Sequence, residues 1–265
     1  MITPIADPDD PRIGAYRDIR ERDLVGRQGL FVAEGEVVLR LLLRSTLCRP
    51  RSILIAEKRA EALAPLLAEA PAGVPVYAAG QAVLDAIAGF HLHRGILAIG
   101  ERIAAPSAGE LLDGLGGRAL VVSVHGIGNH DNMGGLFRNA AAFGADAVLL
   151  GSDCCDPLYR KAIRVGVGAA LITPFARFEA DEDPIEALTA RGFQVLALTP
   201  GGEHALTDVA RADRMAVLFG AEGPGLPPAL LERATTVRIA MAPGFDSLNV
   251  ATASGIVLHH LSARA

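Results

Sequence analysis

The feature that most constrains the fold is the spacing of short, nearly continuous apolar runs in the second half of the chain. These runs indicate strands, alternate with segments of helical periodicity, and fall at residues 119–124, 147–150, 194–198, 216–219 and 236–239. Strands that are apolar on both faces and separated by helices are typical of a parallel sheet covered on both sides. The second half is therefore predicted to be an α/β domain.

The first hundred residues show the same two periodicities in a smaller α/β unit. Strands are expected at 30–33, 52–56, 74–78 and 95–99, and helices at 34–44, 57–69 and 81–88. The apolar stripe of the first helix is expected to be Val37, Val38, Leu41 and Leu42, and Pro65 is expected to break the second helix. Small, turn-forming residues at 104–109 mark a linker, which divides the chain into domains at 1–105 and 106–265.

Composition places the chain among ordinary globular proteins. Hydrophobic residues make up 51% and charged residues 21% of its 265 residues. No run approaches the roughly 18 apolar residues that a membrane helix needs, and the first residues lack the pattern of a secretion signal. The three cysteines are an odd number without metal-ligand spacing, which suits a reducing compartment. A cytoplasmic protein without a membrane segment is expected.

Charge is unevenly distributed along the chain. The net charge is −5, yet residues 11–60 hold eleven Lys/Arg against six Asp/Glu, a local excess of +5. A local basic excess can contact nucleic-acid phosphates even in an acidic protein. A solvated helical face explains the same residues equally well, so the charge permits RNA binding by the first domain without demonstrating it.

The common nucleotide-binding glycine patterns do not fit. The run at 121–128 begins like a dinucleotide-binding turn, but Asp131 stands where the third glycine of that fingerprint should fall. That glycine lets the helix pack closely against the strand, so its loss argues against a Rossmann dehydrogenase. No phosphate-binding loop of the G-x-x-x-x-G-K-[ST] type occurs in the sequence.

Three other glycine-bearing loops follow strand ends, at 132–144, 218–226 and 239–251. Each has an ordinary explanation when taken alone. Asn and Gly commonly form turns, Ser247 could cap a helix at 250–262, and Arg138 could be a solvated helix residue. The order and separation of all three loops are harder to attribute to turn formation.

Together the loops resemble the three motifs of the SpoU RNA 2′-O-methyltransferases, the TrmH-like branch of the SPOUT superfamily. The first motif is matched by Asn132, Gly134, Arg138 and Ala140. The second is matched by Gly220, Glu222, Gly223, Gly225 and Leu226. The third is matched by Ile239, Met241, Ser247, Leu248, Asn249 and Val250. Residues 31–36 and 93–98 are also similar to that family's N-terminal substrate-binding domain, which is related to small RNA-binding ribosomal proteins.

The chain departs from the family pattern at five places, one of which is Gly166, where relatives often have serine. Asn139 replaces the hydroxyl residue after the arginine, and Asn129-His130 replaces an Asp-Pro pair before the first motif. In the third motif Ala240 replaces proline, and the glycine falls one position late, at Gly244. These changes are expected to alter loop shape more than chemistry, because the polar motif residues are all present.

The resemblance implies a parallel sheet with a trefoil knot and S-adenosylmethionine as the methyl donor. Backbone at Gly220, Ile239 and Leu248 is expected to hold the adenosyl group, because glycine allows close approach. Arg138 is the family's catalytic arginine, and an arginine anchors a phosphate better than it accepts a proton. The remaining assignments are that Asn132, Ser247 and Asn249 orient Arg138 and the ribose, while Glu222 shapes its loop and orients a donor.

The resemblance also implies partners. An RNA substrate is expected, with rRNA favoured over tRNA because relatives with this N-terminal extension often modify rRNA. A noncatalytic RNA-binding protein of the same fold is the alternative, but it would be expected to lose residues such as Arg138 or Asn249. A homodimer is expected, with Arg138 approaching the partner's cofactor site. No metal is expected, because His125, His130 and Asp131 fit no zinc spacing and transfer from a sulfonium needs no Lewis acid.

Overall fold

The structure is a computed structural model that describes residues 2–17, 29–88, 95–103, 105–244 and 247–262. Its contacts divide the chain into two compact units. The first comprises Met1–Ala104 together with Leu158–Ile172, and the second comprises Ala105–Pro157 and Thr173–Ala265. The boundary predicted at residue 105 lies next to the first change of unit along the chain, between Ala104 and Ala105.

The first unit is built on a five-stranded mixed sheet in the order β1-β4-β3-β5-β2. Its strands are β1 (Ile2–Ile5), β2 (Leu30–Glu34), β3 (Cys48–Ala56), β4 (Val76–Ala79) and β5 (Ile96–Arg102). Strand β4 pairs in parallel with both β1 and β3, whereas β5 pairs antiparallel with β3 and β2. The first strand was not anticipated from the sequence, because Pro4 interrupts a very short apolar pattern.

The helices that accompany this sheet include α1 (Glu36–Arg44), α2 (Ala60–Leu67) and α3 (Gln81–Ala88). Two details differ from expectation. Helix α1 buries Val38, Leu39 and Leu42, whereas Val37 is 56% exposed, so the buried stripe is rotated by about one residue. Helix α2 continues past Pro65 and ends two residues later. The expected break at Pro65 is therefore wrong: a proline removes one bond to the preceding turn, and the helix continues through it.

The segment Leu158–Ile172 belongs to the first unit although it lies between strands of the second in sequence. It contains α6 (Arg160–Val165), whose Arg160 donates through Nε and Nη2 to a Glu34 carboxylate oxygen at 3.1 and 2.9 Å. The two side chains are only 13% and 9% exposed. Such a pair is costly to break, because removing one partner leaves the other charge buried.

The described arginines of the first unit are largely neutralised. Each of the seven described between residues 11 and 60 forms an ion pair: Arg12–Asp10, Arg17–Asp9, Arg40–Glu36, Arg44–Glu69, Arg49–Glu101, Arg51–Glu101 and Arg59–Glu36. All the acids in these pairs except Glu36 lie outside the 11–60 window. Residues 1–104 contain 13 Lys/Arg against 13 Asp/Glu. The local +5 excess is therefore a weaker argument for RNA binding than it was in the sequence.

The second unit contains a seven-stranded sheet in the order β10-β12-β9-β11-β6-β7-β8. Its strands are β6 (Ala119–Val124), β7 (Ala147–Leu150), β8 (Phe175–Arg177), β9 (Gln194–Leu198), β10 (His204–Ala205), β11 (Arg214–Phe219) and β12 (Thr235–Arg238). Every pairing in it is parallel. The predicted parallel α/β sheet is confirmed, with short edge strands β8 and β10 added. A threaded knot stays a prediction.

The helices of the second unit are α4 (Ala108–Asp113), α5 (His130–Ala142), α7 (Pro184–Thr189), α8 (Pro228–Leu231) and α9 (Val250–Ser262). Helix α4 begins inside the predicted linker. Ser107 accepts a hydrogen bond from the Glu110 amide, and the Glu110 side chain accepts one from the Ser107 amide. This capping box starts a helix within a stretch that its small residues had suggested was irregular.

Buried apolar side chains form a core in each unit. One core includes Val121, Leu149 and Leu218 of the parallel sheet, and the other includes Leu54, Leu97 and Ile99 of the mixed sheet. No helix within the described ranges is long and apolar enough to cross a membrane.

The three cysteines, Cys48, Cys154 and Cys155, are free thiols. Burial raises the pKa of the Cys48 and Cys155 thiols to about 11. Both thiols therefore stay protonated and unreactive at neutral pH. The cytoplasmic location inferred from the cysteine content stays a prediction.

Candidate active site

A cavity of about 420 Å³ lies where β9, β11 and β12 end. Ligand sites in parallel α/β sheets form at this carboxyl edge, because the loops there are free to diverge. The described residues that line it come from four segments and are Leu198–Pro200, Phe219–Gly223 with Gly225, Ile239 with Met241, and Ser247–Val250 with Ala253. The second and third glycine loops of the sequence thus meet around one space.

The loop after β11 is shaped by its glycines. It closes on itself through a hydrogen bond from the Gly225 amide to the Ala221 carbonyl, at 3.0 Å. Gly223 and Gly225 have φ values of 87° and 72°, a region that favours glycine. A Cβ on Gly220 would lie 2.2 Å from the carbonyl carbon of Gly225. No other residue fits at Gly220 without moving backbone, so the cavity here is bounded by main chain.

Asn249 is the polar centre of the site. Its Oδ1 accepts hydrogen bonds from the amides of Ala251 and Thr252, at 3.0 and 3.2 Å, and so caps the start of α9. Its Nδ2 donates to Oδ1 of Asn132 and to Oε1 of Glu222, both at 2.8 Å. The capping bonds determine which way the amide faces, because only Oδ1 can accept them. Asn249, and not Ser247, is therefore the cap of this helix.

Asn132, Glu222 and Asn249 come from three different motifs and are brought together by these bonds. Asn132 is buried, whereas Glu222 is exposed. Glu222 thus contacts the donor group of Asn249, which is the arrangement expected of a residue that orients a donor. Gly220, Ile239, Ser247 and Leu248 line the same cavity. The predicted cofactor residues and all the predicted polar residues except Arg138 lie at this location.

Arg138 lies apart from this group. It is exposed on α5, and it is not among the residues lining the cavity. In the part of the chain that the structure describes, its guanidinium makes no hydrogen bond or ion pair. Within one chain Asn249 therefore donates to Asn132 and Glu222, and neither asparagine orients Arg138.

Two departures from the family pattern have clear local roles. Asn129 caps α5, because its Oδ1 accepts from the Asp131 amide at 2.8 Å. Asn and Asp are about equally good caps, so the change from aspartate preserves this function. In the third loop Gly244 has a φ of 86°. Gly244, one position later than the family's glycine, therefore has the left-handed backbone conformation that glycine adopts readily.

Strands β6, β7 and β8 end in a second cluster at the same edge of the sheet. Nη1 of Arg177 donates to the carbonyls of Gly151 and Cys154, at 2.7 and 2.9 Å. Asp153 accepts from the Gly126 amide at 2.9 Å, and Nε2 of His125 lies 2.9 Å from the Ser123 hydroxyl. Burial lowers the pKa of His125 to about 4, so this ring is neutral at physiological pH.

The described residues contain no group of three or more His, Cys, Asp or Glu side chains that could hold a metal ion. His91 and His93 lie outside the described residues, and the expectation of a metal-free protein stays a prediction. Sequence reasoning missed the cavity residues Leu198, Thr199 and Pro200. Their position at the end of a predicted central strand, at 194–198, could have indicated that they line a binding site.

Comparison with known proteins gives a consistent assignment. Residues 119–259 match the SpoU rRNA Methylase family. A protein named as an uncharacterized tRNA/rRNA methyltransferase from Mycobacterium tuberculosis is 40% identical over 266 residues, covering 96% of this chain and 90% of its own. A 23S rRNA (guanosine-2′-O-)-methyltransferase from Ralstonia nicotianae is 34% identical over 198 residues, covering 73% and 78%.

Solved structures share the fold over nearly the whole chain. The AdoMet-bound rRNA methyltransferase from Sinorhizobium meliloti has a TM-score of 0.81 at 24% identity, covering 98% of this chain and 97% of its own. The SpoU methyltransferase AviRb from Streptomyces viridochromogenes, also with AdoMet, has a TM-score of 0.79 at 21% identity, covering 96% and 98%. Because the family match covers more than half of the residues and includes all three glycine loops, this chain belongs to the SpoU rRNA Methylase family.

Proposed function

We propose that this protein transfers a methyl group from S-adenosylmethionine to a ribose 2′-hydroxyl of RNA, with rRNA as the favoured substrate. The observation that carries the proposal is the meeting of Asn132, Glu222 and Asn249 beside a cavity bounded by glycine backbone. Relatives named as rRNA or tRNA/rRNA methyltransferases support the reaction class.

The cavity suits S-adenosylmethionine in its chemistry. Its described lining is largely apolar, includes the carboxylate of Glu222, and includes no Lys or Arg. A phosphate ligand would need donors or positive charge, whereas an adenosyl group needs apolar walls and backbone partners. Gly220, Ile239 and Leu248 hold that group. The bound cofactor supplies a methyl group on a positively charged sulfur.

The polar residues act on the RNA. Transfer to a hydroxyl is an in-line displacement, which requires alignment of the acceptor oxygen and help in removing its proton. Asn132 and Asn249 position the ribose, and Ser247 lies beside them on the cavity wall. Arg138 binds the phosphate next to the target ribose and stabilises negative charge that develops on the oxygen. Glu222 orients the Asn249 amide.

The first unit is proposed to bind the RNA substrate. Its sequence similarity to the substrate-binding domain of the family supports this, while the internal ion pairs of its arginines weaken the charge argument. The preference for rRNA over tRNA rests on the presence of this unit and on the rRNA enzyme among the relatives. Mapping 2′-O-methylation in rRNA and tRNA, with and without the gene, identifies the substrate; a missing mark in tRNA alone contradicts the preference for rRNA.

A homodimer formed by the second unit explains the isolation of Arg138. The side chain is exposed and forms no hydrogen bond with Asn132 or Asn249 of its own chain, as expected if it acts at the site of a second copy. Helix α9 presents Ile256, 41% exposed, on a face opposite its buried side chains. A chain sedimenting at 27.6 kDa at micromolar concentration contradicts the dimer.

The Arg138→Ala variant tests the proposed methyl transfer and, in the mixing experiment below, the proposed homodimer. We expect at least about a hundredfold loss of methylation, as for removal of other charge-stabilising donors, with the calorimetric affinity for S-adenosylmethionine unchanged. Arg118→Ala is the matched control, since Arg118 is exposed at the opposite end of β6. Loss of cofactor binding in Arg138→Ala indicates a structural role instead.

Mixing Arg138→Ala with Asn249→Ala protein tests action across the dimer. If Arg138 serves the partner's site, one of the two sites in each mixed dimer has both groups intact, and activity partly returns. Absence of any recovery, with mixed dimers shown to form, places both groups in the same subunit.

A further inference from the structure

We propose that Asn139 is a positioning residue that holds α9 in register against α5, so that Asn249 reaches Asn132 at the cavity. Asn139 occupies the position where the family pattern has a hydroxyl residue, and no role follows for it from the motif itself. The inference rests on the proposed function, because its effect is read through binding of S-adenosylmethionine.

The side chain of Asn139 bridges the two helices. Its Nδ2 donates to the carbonyl of Ala251 at 2.6 Å and to the hydroxyl of Ser254 at 2.9 Å. Ser254 is fully buried, and its hydroxyl also donates to the Ala251 carbonyl, at 2.8 Å. Both hydrogens of the Asn139 amide are therefore used on successive turns of α9.

Ala251 connects this bridge to the active site. Its carbonyl accepts from Asn139, while its own amide donates to Oδ1 of Asn249 at 3.0 Å. On α5, Asn132 and Asn139 are seven residues apart, so both lie on the same face, two turns from each other. On α5, Asn132 therefore accepts a hydrogen bond from Asn249, and Asn139 donates one to the carbonyl of Ala251, two residues after Asn249.

The helices are in close contact along this line. A Cβ on Gly135 would lie 2.6 Å from the Cβ of Ala251, and a Cβ on Gly255 would lie 3.3 Å from Nδ2 of Asn139. The two glycines permit a separation at which the short Asn139 side chain can reach the backbone of α9. A serine in place of Asn139 has one hydroxyl hydrogen and can donate only one of the two bonds.

Placement of α9 matters because it forms part of the cavity wall. Asn249, Val250 and Ala253 all line the cavity and all belong to the start of this helix. A small shift of α9 along α5 would move these three residues and lengthen the bond between Asn249 and Asn132. Asn139 thus acts on cofactor binding without touching the cofactor.

The experiment compares Asn139→Ala, Asn139→Asp and Asn139→Ser by calorimetry with S-adenosylmethionine, well below the unfolding temperature. We expect Asn139→Ala to weaken binding about five- to tenfold, as loss of one to two net hydrogen bonds would. Asn139→Asp should lose at least as much, because it keeps the shape but places a carboxylate against the Ala251 carbonyl. Asn139→Ser should fall between wild type and Asn139→Ala.

Ile185→Val is the matched control for stability. Ile185 is buried in the core of the same unit and is not among the residues lining the cavity, so the change should lower the unfolding temperature and leave cofactor affinity unchanged. If Asn139→Ala lowers the unfolding temperature but binds the cofactor within twofold of wild type, Asn139 is merely structural and the inference fails.

A double-mutant cycle tests whether the effect passes through Asn249. In an Asn249→Ala background, Asn139→Ala should weaken cofactor binding by a clearly smaller factor than in wild type, because Asn249, the polar group that it positions, is already gone. Fully additive losses overturn the inference. Hydrogen exchange at residues 249–254 provides a reading independent of the cofactor: it should accelerate in Asn139→Ala and not in Ile185→Val. Wild-type protein that fails to bind S-adenosylmethionine refutes the proposed function, and unchanged exchange then refutes the positioning role separately.

Discussion

The loops at the carboxyl edge of the seven-stranded sheet differ between two parts of that edge. On the cavity side, where β9, β11 and β12 end, glycine loops leave an open space of about 420 Å³. On the closed side, where β6, β7 and β8 end, Nη1 of Arg177 binds the carbonyls of Gly151, Ser152 and Cys154. The pairing is parallel throughout the sheet, so the difference lies in the loops.

The contrast shows how a strand end becomes a binding site. Backbone groups that leave a sheet edge need partners. On the closed side, side chains of the protein provide them: Arg177 for the carbonyls, and Asp153 for the Gly126 amide. On the cavity side, the lining offers backbone and apolar surface, and a ligand can supply the partners. The two sides meet at Gly126, where a Cβ would lie 3.0 Å from the Cβ of Ala221.

The largest expected effect is at a glycine of the cavity side. Gly220→Ala places a methyl group 2.2 Å from the carbonyl carbon of Gly225, so the loop must move. Because the moved loop no longer bounds the cavity in the same way, binding of S-adenosylmethionine should weaken roughly a hundredfold, about 3 kcal/mol of binding free energy. Calorimetry measures the loss.

Gly128→Ala on the closed side is the matched control for this change. A methyl group added at Gly128 would have no heavy atom within 4 Å, and the φ of Gly128 is not positive. The substitution should therefore leave the affinity for S-adenosylmethionine unchanged. Equal losses in the two variants would mean that the cavity is not the cofactor site.

The cavity side was largely predictable from sequence because its chemistry depends on glycine and on a few polar residues at set spacings. Gly220, Glu222 and Asn249 were assigned because their loops resemble the SpoU motifs, and the structure brings them together. The parallel sheet was predictable because its central strands are continuous apolar runs. What the spacing did not reveal was that Asn249 caps α9 while donating to both Asn132 and Glu222.

The closed side was not predictable, because its contacts are between residues far apart in sequence and of ordinary type. Arg177 reaches a loop more than twenty residues before it, and β8 has only three residues, too few to show a period. The same holds for Leu158–Ile172, whose place in the first unit depends on Arg160 and Glu34, 126 positions apart. A pattern of neighbouring residues carries no information about such pairs.

An effect of similar size, on unfolding free energy and not on cofactor binding, is expected when the closed side is opened. Arg177→Met removes the donor that Gly151 and Cys154 share, and no other described side chain takes its place. The Gly151 carbonyl keeps its bond from the Cys154 amide, but losing the charge-assisted bonds from Arg177 should still cost about 3 kcal/mol of unfolding free energy, measured by urea denaturation. Cofactor affinity should stay unchanged. Arg118→Met, at an exposed ion pair, should cost less than about 1 kcal/mol. A cofactor-affinity loss in Arg177→Met would show that the closed side belongs to the site.

The smallest effect concerns pH and His125. Burial lowers the pKa of this histidine from 6.5 to about 4, and the nearby charge of Asp153 opposes only part of the shift. Between these values the unfolded chain binds a proton that the folded protein does not, so acid favours unfolding. The stability contributed by neutral His125 is therefore complete above pH 6.5 and is lost progressively as the pH falls toward 4.

Between pH 7 and pH 5 the loss amounts to about 2 kcal/mol. His125→Gln keeps a polar side chain beside Ser123 but cannot titrate near neutral pH, so its unfolding free energy should fall about 2 kcal/mol less over this interval. The carboxylates titrate in both proteins, so their contribution to the pH dependence of the unfolding free energy cancels in the comparison. Parallel curves for wild type and His125→Gln would mean that the ring protonates without penalty, and that the closed side is open to water after all.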